Sequence, residues 1–303
     1  MNVLISDGLA REGKQVLLDN NYTLTEQFFE LEDLIINIQK FDAVIVRSAT
    51  KITKEIIDAG KKGKLKVICR AGVGIDNIDS NYAKSVGIPV LNTPGASAIS
   101  VAELSIGMMF SLSRFLNVST QTMSELKWNK KEYSNGTELF GKTLGIIGFG
   151  MIGNETAKRA IALGMNVIIS TLTEVTSDLN VKFVSLDDLL SNSDIISTHI
   201  PFNKDNKSII NDDNLETLKN GVILINTARG GVYDENTLIK GLTSGKIKGV
   251  GIDVFVNEPV TENQKQLLSF PNVCATPHIG GSTIEGQLRV SIEIAERLIN
   301  ELK

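Results

Sequence analysis

Cysteine is almost missing from this chain, with two residues in 303, Cys69 and Cys274, each in an apolar strand-like run and far apart. Such scarcity excludes a disulfide framework and a zinc site built on closely spaced thiolates, and both thiols are expected to be buried and inert. Charge of one sign is missing too. The 31 basic and 35 acidic residues leave a net charge of -4, without the electrostatic footprint of a protein that binds nucleic acid or an anionic membrane. No apolar run approaches the roughly 20 residues that span a bilayer, and the start Met1-Asn2-Val3-Leu4-Ile5 lacks the basic and apolar regions of a secretory signal. The expected location is therefore the cytoplasm. Low-complexity tracts and tandem repeats at solenoid spacing are also lacking.

What is present is an ordinary globular composition, 42% hydrophobic and 22% charged. The length suits two packed domains better than one of about 100–150 residues. Short β-branched runs at 3–6, 43–47, 66–69 and 89–92 alternate with helical patterns at 31–39, 54–59 and 81–86, which is a parallel α/β layout. A long apolar helix is expected over 100–123. A polar, aperiodic stretch over 124–137 then reads as a crossing between domains. A second α/β series follows, with strands at 143–147, 166–170, 195–198, 222–226, 249–253 and 273–275. Each is short and nearly all apolar, as in a sheet covered on both faces. The chain closes with an amphipathic helix over 283–303.

The strand at 143–147 runs into Gly148-Phe149-Gly150-Met151-Ile152-Gly153, with a helix over 155–163 behind it. This is the strand–turn–helix context that a dinucleotide fingerprint requires. Gly148 permits the tight turn, Gly150 lets the backbone approach a pyrophosphate, and Gly153 lets helix and strand pack closely. The acid that usually holds the adenosine ribose belongs about 20 residues further on, and there the chain has Thr171. No Arg or Lys stands between Thr171 and Val181 to attract a 2′-phosphate, so NAD is preferred to NADP, with Glu174 as a displaced ribose acceptor.

Three further segments each follow a strand of the second series: Asn226-Thr227-Ala228-Arg229-Gly230-Gly231, Asp253-Val254-Phe255-Val256-Asn257-Glu258-Pro259 and Thr276-Pro277-His278-Ile279-Gly280-Gly281. The carboxyl ends of strands in a doubly wound sheet line one crevice, so Arg229, Glu258 and His278 can converge there. Taking a proton from a secondary alcohol as hydride leaves calls for a base that titrates near neutrality, which His278 supplies. A carboxylate beside it, Glu258, orients the ring and favours imidazolium. The planar guanidinium of Arg229 pairs with a substrate carboxylate in a fork that Lys cannot reproduce. Taken singly, each has a blander reading, as a turn histidine, a capping arginine or a loop acid; on neighbouring strand ends behind a nucleotide fingerprint they favour catalysis. His199 also follows a strand but has no acid nearby, and is read as structural or as lining the cofactor cleft. The motifs hold no cluster of carboxylates or cysteines, so no metal is expected.

The four motifs in this order, the last extending to Thr283, resemble the hallmarks of the D-2-hydroxyacid dehydrogenase family over essentially the whole chain. Within it, Val46-Arg47-Ser48-Ala49-Thr50-Lys51, Arg70-Ala71-Gly72-Val73-Gly74-Ile75-Asp76-Asn77 and residues 136–145 look like the branch acting on D-3-phosphoglycerate. The resemblance implies two Rossmann-like doubly wound parallel-sheet α/β domains. A cofactor domain, 93–278, would be inserted into a discontinuous, flavodoxin-like substrate domain, 1–92 plus 279–303. It implies NAD-dependent oxidation of D-3-phosphoglycerate to 3-phosphohydroxypyruvate, the entry to serine biosynthesis, by His278, Glu258 and Arg229. Cofactor contacts are implied for Gly148, Gly150, Met151, Ile152, Gly153, Thr171, Ile200, Thr227, Ala228, Arg229, Asp253, His278, Gly280 and Gly281. Contacts to a phosphorylated 2-hydroxy acid are implied for Arg47, Ser48, Val73, Gly74, Ser97, Arg229 and His278. Thr171 replaces the family's Asp, and Ser97 stands where the branch usually has Asn. A homodimer or larger homo-oligomer is also implied. With 25 residues after His278 there is no room for a regulatory domain, so the short, unregulated form is expected. Competing readings are a glyoxylate or hydroxypyruvate reductase with the same catalytic set, and a non-catalytic NAD-sensing regulator.

Overall fold

A computed structural model describes residues 1–173, 175–202 and 207–303. The chain divides into two compact units, Met1–Ala98 with Gly281–Lys303, and Ile99–Gly280. The divisions fall at 98/99 and 280/281, against the expected 92/93 and 278/279.

The first unit runs β1 (Asn2–Ile5), α1 (Arg11–Asp19), β2 (Thr23–Glu26), α2 (Leu31–Asn37), β3 (Ala43–Val46), α3 (Lys54–Lys62), β4 (Val67–Arg70), α4 (Ser80–Ser85) and β5 (Val90–Leu91). Its five strands form a parallel sheet in the order β2-β1-β3-β4-β5. The apolar strands alternate between two cores: Val3, Ile5, Ala43, Ile45, Val67 and Cys69 face one, and Leu4, Val44, Val46 and Ile68 face the other. This is the period-2 pattern of a sheet buried on both sides.

The second unit opens with α5 (Ala98–Ser113) and α6 (Leu116–Ser124). One helix was expected here. The two are bent by 62° at Phe115, whose φ of 58° is left-handed. No helix breaker marks the spot; the cause is tertiary. The Ser113 carbonyl accepts from the Thr137 N–H at 2.9 Å, and the Phe115 ring packs on Tyr133 with centroids 5.7 Å apart. Leu112 belongs to the core, with Phe110 packed against it. The polar stretch 124–137 lies within the second unit.

Then come β6 (Thr143–Ile147), α7 (Met151–Ala162), β7 (Asn166–Ser170), β8 (Lys182–Phe183), α8 (Leu186–Asn192), β9 (Ile195–Thr198), β10 (Val222–Asn226), α9 (Glu235–Ser244), β11 (Ile247–Ile252), α10 (Lys265–Leu268) and β12 (Val273–Ala275). The sheet order is β12-β11-β10-β9-β6-β7-β8, all parallel. Every residue of β9 and β10 is buried. Cys69 is buried as expected, whereas Cys274, on the edge strand β12, is half-exposed.

The last helix, α11 (Ile284–Leu302), is capped by Thr283, whose hydroxyl accepts from the Gly286 N–H at 2.9 Å. Its Val290, Ile294, Ala295, Leu298 and Ile299 complete the core over one face of the first sheet. Among the described residues no single helix is long and apolar enough to cross a membrane.

Candidate active site

The glycine turn leaves β6 at Gly148, with φ of +89°. A Cβ there would lie 2.5 Å from Ile200 Cγ2 and 2.6 Å from the His199 carbonyl oxygen, and one on Gly153 would lie 2.3 Å from the Gly148 carbonyl oxygen. Those two glycines serve the chain's own packing. At Gly150, the residue preceding α7, a Cβ would meet nothing within 4 Å, and no side chain caps the helix. The first-turn N–H groups and the positive end of the helix dipole therefore face open space beside a residue without a side chain, a cradle fitted to the pyrophosphate of a dinucleotide. Met151 is exposed, and Ile152 is half-buried.

At the tip of β7, Thr171 is half-exposed and its hydroxyl lies 3.4 Å from that of Thr173. Glu174 lies outside the described residues. Ile200 follows β9 against Gly148. The His199 Nε2 lies 3.0 Å from the Ser197 hydroxyl, while its Nδ1 is buried without a hydrogen-bond partner. Burial lowers the His199 pKa to about 3, so the ring is neutral and does not serve as an acid near pH 7.

The catalytic candidates are brought together by three strand ends. Beyond β10, the Asn226 side chain accepts from the Ala228 N–H at 3.0 Å and donates to the Arg229 carbonyl at 2.9 Å, a turn that lifts Arg229 out of the strand direction. The Arg229 Nη1 donates to the Ala228 carbonyl at 2.7 Å. Thr227 is buried, its hydroxyl 2.9 Å from that of Ser105 on α5. A Cβ on Gly230 would lie 1.9 Å from the Phe255 carbonyl oxygen, so this turn rests directly on the segment after β11.

In that segment Glu258 Oε1 accepts from the Phe255 N–H at 2.9 Å, and Oε2 lies 2.6 Å from His278 Nδ1. A carboxylate only accepts, so Nδ1 carries the proton and Nε2 is left for substrate. The hydrogen bond that His278 donates to Glu258 is the main cause that raises the His278 pKa above its ordinary value; burial opposes it, the charges of Glu258 and Asp253 add to it, and Arg229 subtracts. For Glu258, burial alone would raise the pKa, but the bonds from His278 and the Phe255 N–H, with the positive charges of His278 and Arg229, hold it below the usual range. The arrangement is a carboxylate–imidazole pair beside a guanidinium.

His278 itself is held by Asp253. The His278 N–H donates to the Asp253 carbonyl at 2.8 Å. The buried Asp253 carboxylate accepts from the Thr276 hydroxyl at 2.6 Å and from the Ile279 and Gly280 N–H groups, both at 2.8 Å. This carboxylate, expected at the cofactor, fixes the 276–280 loop, in which His278 takes a left-handed φ of 54°. Gly281, also expected at the cofactor, belongs to the first unit, where its carbonyl accepts from Gln287 Nε2 at 2.9 Å.

The remaining expected substrate residues are all in the first unit, at the carboxyl side of its strands. Arg47, half-exposed, and Ser48, exposed, follow β3; Val73 and Gly74 follow β4, with the Val73 carbonyl accepting from Asn92 Nδ2 at 2.6 Å; Ser97, buried, precedes α5. Sequence reading did not foresee the positioning work of Asn226 or Asp253. The signal was an Asn or Asp at the last residue of a strand or just beyond it, where a short polar side chain closes a turn on its own backbone.

Residues 106–280 match the family described as D-isomer specific 2-hydroxyacid dehydrogenase, NAD binding domain. The chain is 48% identical to the hydroxypyruvate reductase of Thermotoga maritima, over 99% of this chain and 98% of that one. It is 40% identical to the D-3-phosphoglycerate dehydrogenase of Archaeoglobus fulgidus, over 100% of this chain but 58% of that protein's length. Among solved structures, the D-lactate dehydrogenase of Aquifex aeolicus complexed with NAD and lactic acid superposes with a TM-score of 0.86 at 30% identity, covering 100% of this chain and 95% of that one.

Proposed function

We infer, from the premise that the chain belongs to the D-isomer specific 2-hydroxyacid dehydrogenase family, that it reduces hydroxypyruvate to D-glycerate, and the reverse, with NAD as its redox cofactor. The observation that carries the chemistry is the His278–Glu258 pair at 2.6 Å beside Arg229. The substrate reading draws support from the likeness to the Thermotoga hydroxypyruvate reductase, which extends over nearly all of both chains.

In this reading Arg229 binds the substrate's C1 carboxylate and sets C2 in place. His278 gives the proton on Nε2 to the C2 oxygen during reduction and takes the hydroxyl proton during oxidation. Glu258 stays ionised throughout, keeping the proton on Nδ1 and stabilising the imidazolium. The backbone N–H groups from Gly150 to Gly153 hold the pyrophosphate, and Gly148, Ile200 and Thr171 border the same strand ends. NAD, when bound, supplies the hydride donor or acceptor for C2.

A second reading, oxidation of D-3-phosphoglycerate in serine biosynthesis, is favoured by the 40% identity to the D-3-phosphoglycerate dehydrogenase of Archaeoglobus fulgidus over the whole of this chain. Steady-state turnover of hydroxypyruvate, 3-phosphohydroxypyruvate and glyoxylate with NADH separates the two. Higher kcat/KM for hydroxypyruvate is expected; a preference for the phosphorylated acid would replace the first reading by the second. No turnover of any would refute both.

A further inference from the structure

Glu258 stands in a stretch without regular secondary structure: from Asp253 to Val260 the chain is neither helix nor strand. A carboxylate on such a loop keeps its place only if the loop's own backbone is tied down. Two consecutive N–H groups do this. The Phe255 N–H donates to Glu258 Oε1 at 2.9 Å, which closes the loop upon the carboxylate it carries, and the Val256 N–H donates to Glu235 Oε1 at 3.0 Å. The first bond is internal to the loop; the second joins it to α9, of which Glu235 is the first residue.

Glu235 is fixed in its turn. Its Oε2 accepts from Gln264 Nε2 at 2.9 Å. Gln264 is 1% exposed, and its Oε1 accepts from the Thr261 N–H at 2.9 Å and from the Thr261 hydroxyl at 3.0 Å. With Oε1 engaged by two donors the amide has one orientation, and Nε2 points at Glu235. The bonds therefore run in one direction, from Thr261 through Gln264 and Glu235 to Val256, and they grip the loop both within it and just past its end. A glutamate in the first turn of a helix already interacts favourably with the helix dipole. The dipole does not require that each of its oxygens also hold a donor outside the helix.

We propose that Glu235 and Gln264 are positioning residues for the acid–base pair: they hold the 255–258 loop on α9 so that Glu258 stays within reach of His278 Nδ1. This rests on the reading that Glu258 sets the proton affinity of His278 for catalysis. The charged groups that act on the His278 ring are Glu258, Asp253 and Arg229, and of these Glu258 is the one on the tethered loop. The tether can be reversed without losing a hydrogen bond. In Glu235→Gln alone a donor is set against a donor whichever way the new amide turns, and in Gln264→Glu alone two carboxylates face one another. In the swapped pair the exchanged amide accepts from the Val256 N–H and donates to the exchanged carboxylate, which accepts from Thr261, so every bond and the net charge are kept.

The chain has two histidines, and burial holds the His199 pKa at about 3. NMR of isotope-labelled histidine in the full-length protein therefore reads the His278 titration directly, without substrate. The test combines this titration with kcat and KM for hydroxypyruvate with NADH, NADH affinity and melting temperature, in the unaltered protein, Glu235→Gln, Gln264→Glu, the swapped pair and Glu258→Gln. In Glu235→Gln the His278 pKa falls toward the ordinary histidine value, as it does in Glu258→Gln, and kcat drops about tenfold while NADH affinity holds. The swapped pair recovers both, to within about twofold in kcat. A lower melting temperature with an unmoved His278 titration in Glu235→Gln, or a swapped pair no better than Glu235→Gln, overturns the proposal and leaves the His278–Glu258 reading standing. A His278 titration unmoved in Glu258→Gln overturns that reading and the proposal with it. If Gln264→Glu does not fold, Glu235→Gln and the swapped pair carry the same expectations.

Discussion

At the scale of single residues, the decisive group is an imidazole whose proton affinity is set by one neighbour. The His278 pKa is raised first by its hydrogen bond to Glu258, so reduction, which consumes the proton on Nε2, stays active below that raised pKa and declines as pH rises through it. Replacing Glu258 by Gln removes both the bond to an anion and the charge. The alkaline limb of kcat/KM against pH for keto-acid reduction should therefore move to lower pH, with kcat down by roughly 10²-fold or more. An unmoved limb would refute the pairing. The same pair ties stability to pH in a defined window: its contribution fades above the raised His278 pKa and again below the depressed Glu258 pKa, and solvent screening keeps it small because the two side chains are 49% and 36% exposed. Asp253 works differently. Its carboxylate accepts three hydrogen bonds from the loop that carries His278, so Asp253→Ala should cost about 2–4 kcal/mol of stability and lower kcat while Arg229 and Glu258 remain. Chemical denaturation checks the first and turnover the second.

At the scale of elements, the glycine turn makes two opposite predictions from residues three apart. A Cβ on Gly153 would sit 2.3 Å from a backbone oxygen, whereas one on Gly150 meets nothing. Gly153→Ala should thus destabilise the protein by about 1–3 kcal/mol. Gly150→Ala should leave the melting temperature in place and weaken NADH about tenfold by crowding the pyrophosphate. Calorimetry and NADH fluorescence titration distinguish them, and equal effects on both readouts would sink the assignment. Much of this was legible in the sequence, because a strand, three glycines and a helix are contiguous and the fingerprint is local. The Arg229, Glu258 and His278 segments were legible for a similar reason: each is a short motif at a strand end. The bend at Phe115 was not, since Phe carries no helix-breaking tendency and the left-handed turn is imposed by Tyr133 and Thr137, both later in the chain. α1 and β2 also went unread, as β2 is four partly exposed residues without clear alternation.

At the scale of the molecule, each unit has its own pair of cores, one on either face of its sheet. The second unit is continuous in sequence, and it contains the glycine turn, Arg229, Glu258 and His278. A fragment spanning 99–280 should fold and bind NADH. Circular dichroism and a fluorescence titration test the two expectations. Cutting the chain before α11 has a harsher consequence: Val290, Ile294, Leu298 and Ile299 leave one face of the first sheet bare. Residues up to 283 alone should aggregate or remain soluble only with chaperones.

The contribution of α11 to that core also sets an order of events during synthesis. The strands of the first unit emerge from the ribosome before the second unit does, yet the helix that covers one of their faces is translated after it. The second unit, uninterrupted and already complete at residue 280, can fold while the earlier one still waits. A nascent chain ending at residue 283 and tethered to the ribosome through an unstructured linker should accordingly resist protease across 99–280 and remain cleavable in the first 98 residues, so that the unit begun earlier is finished later.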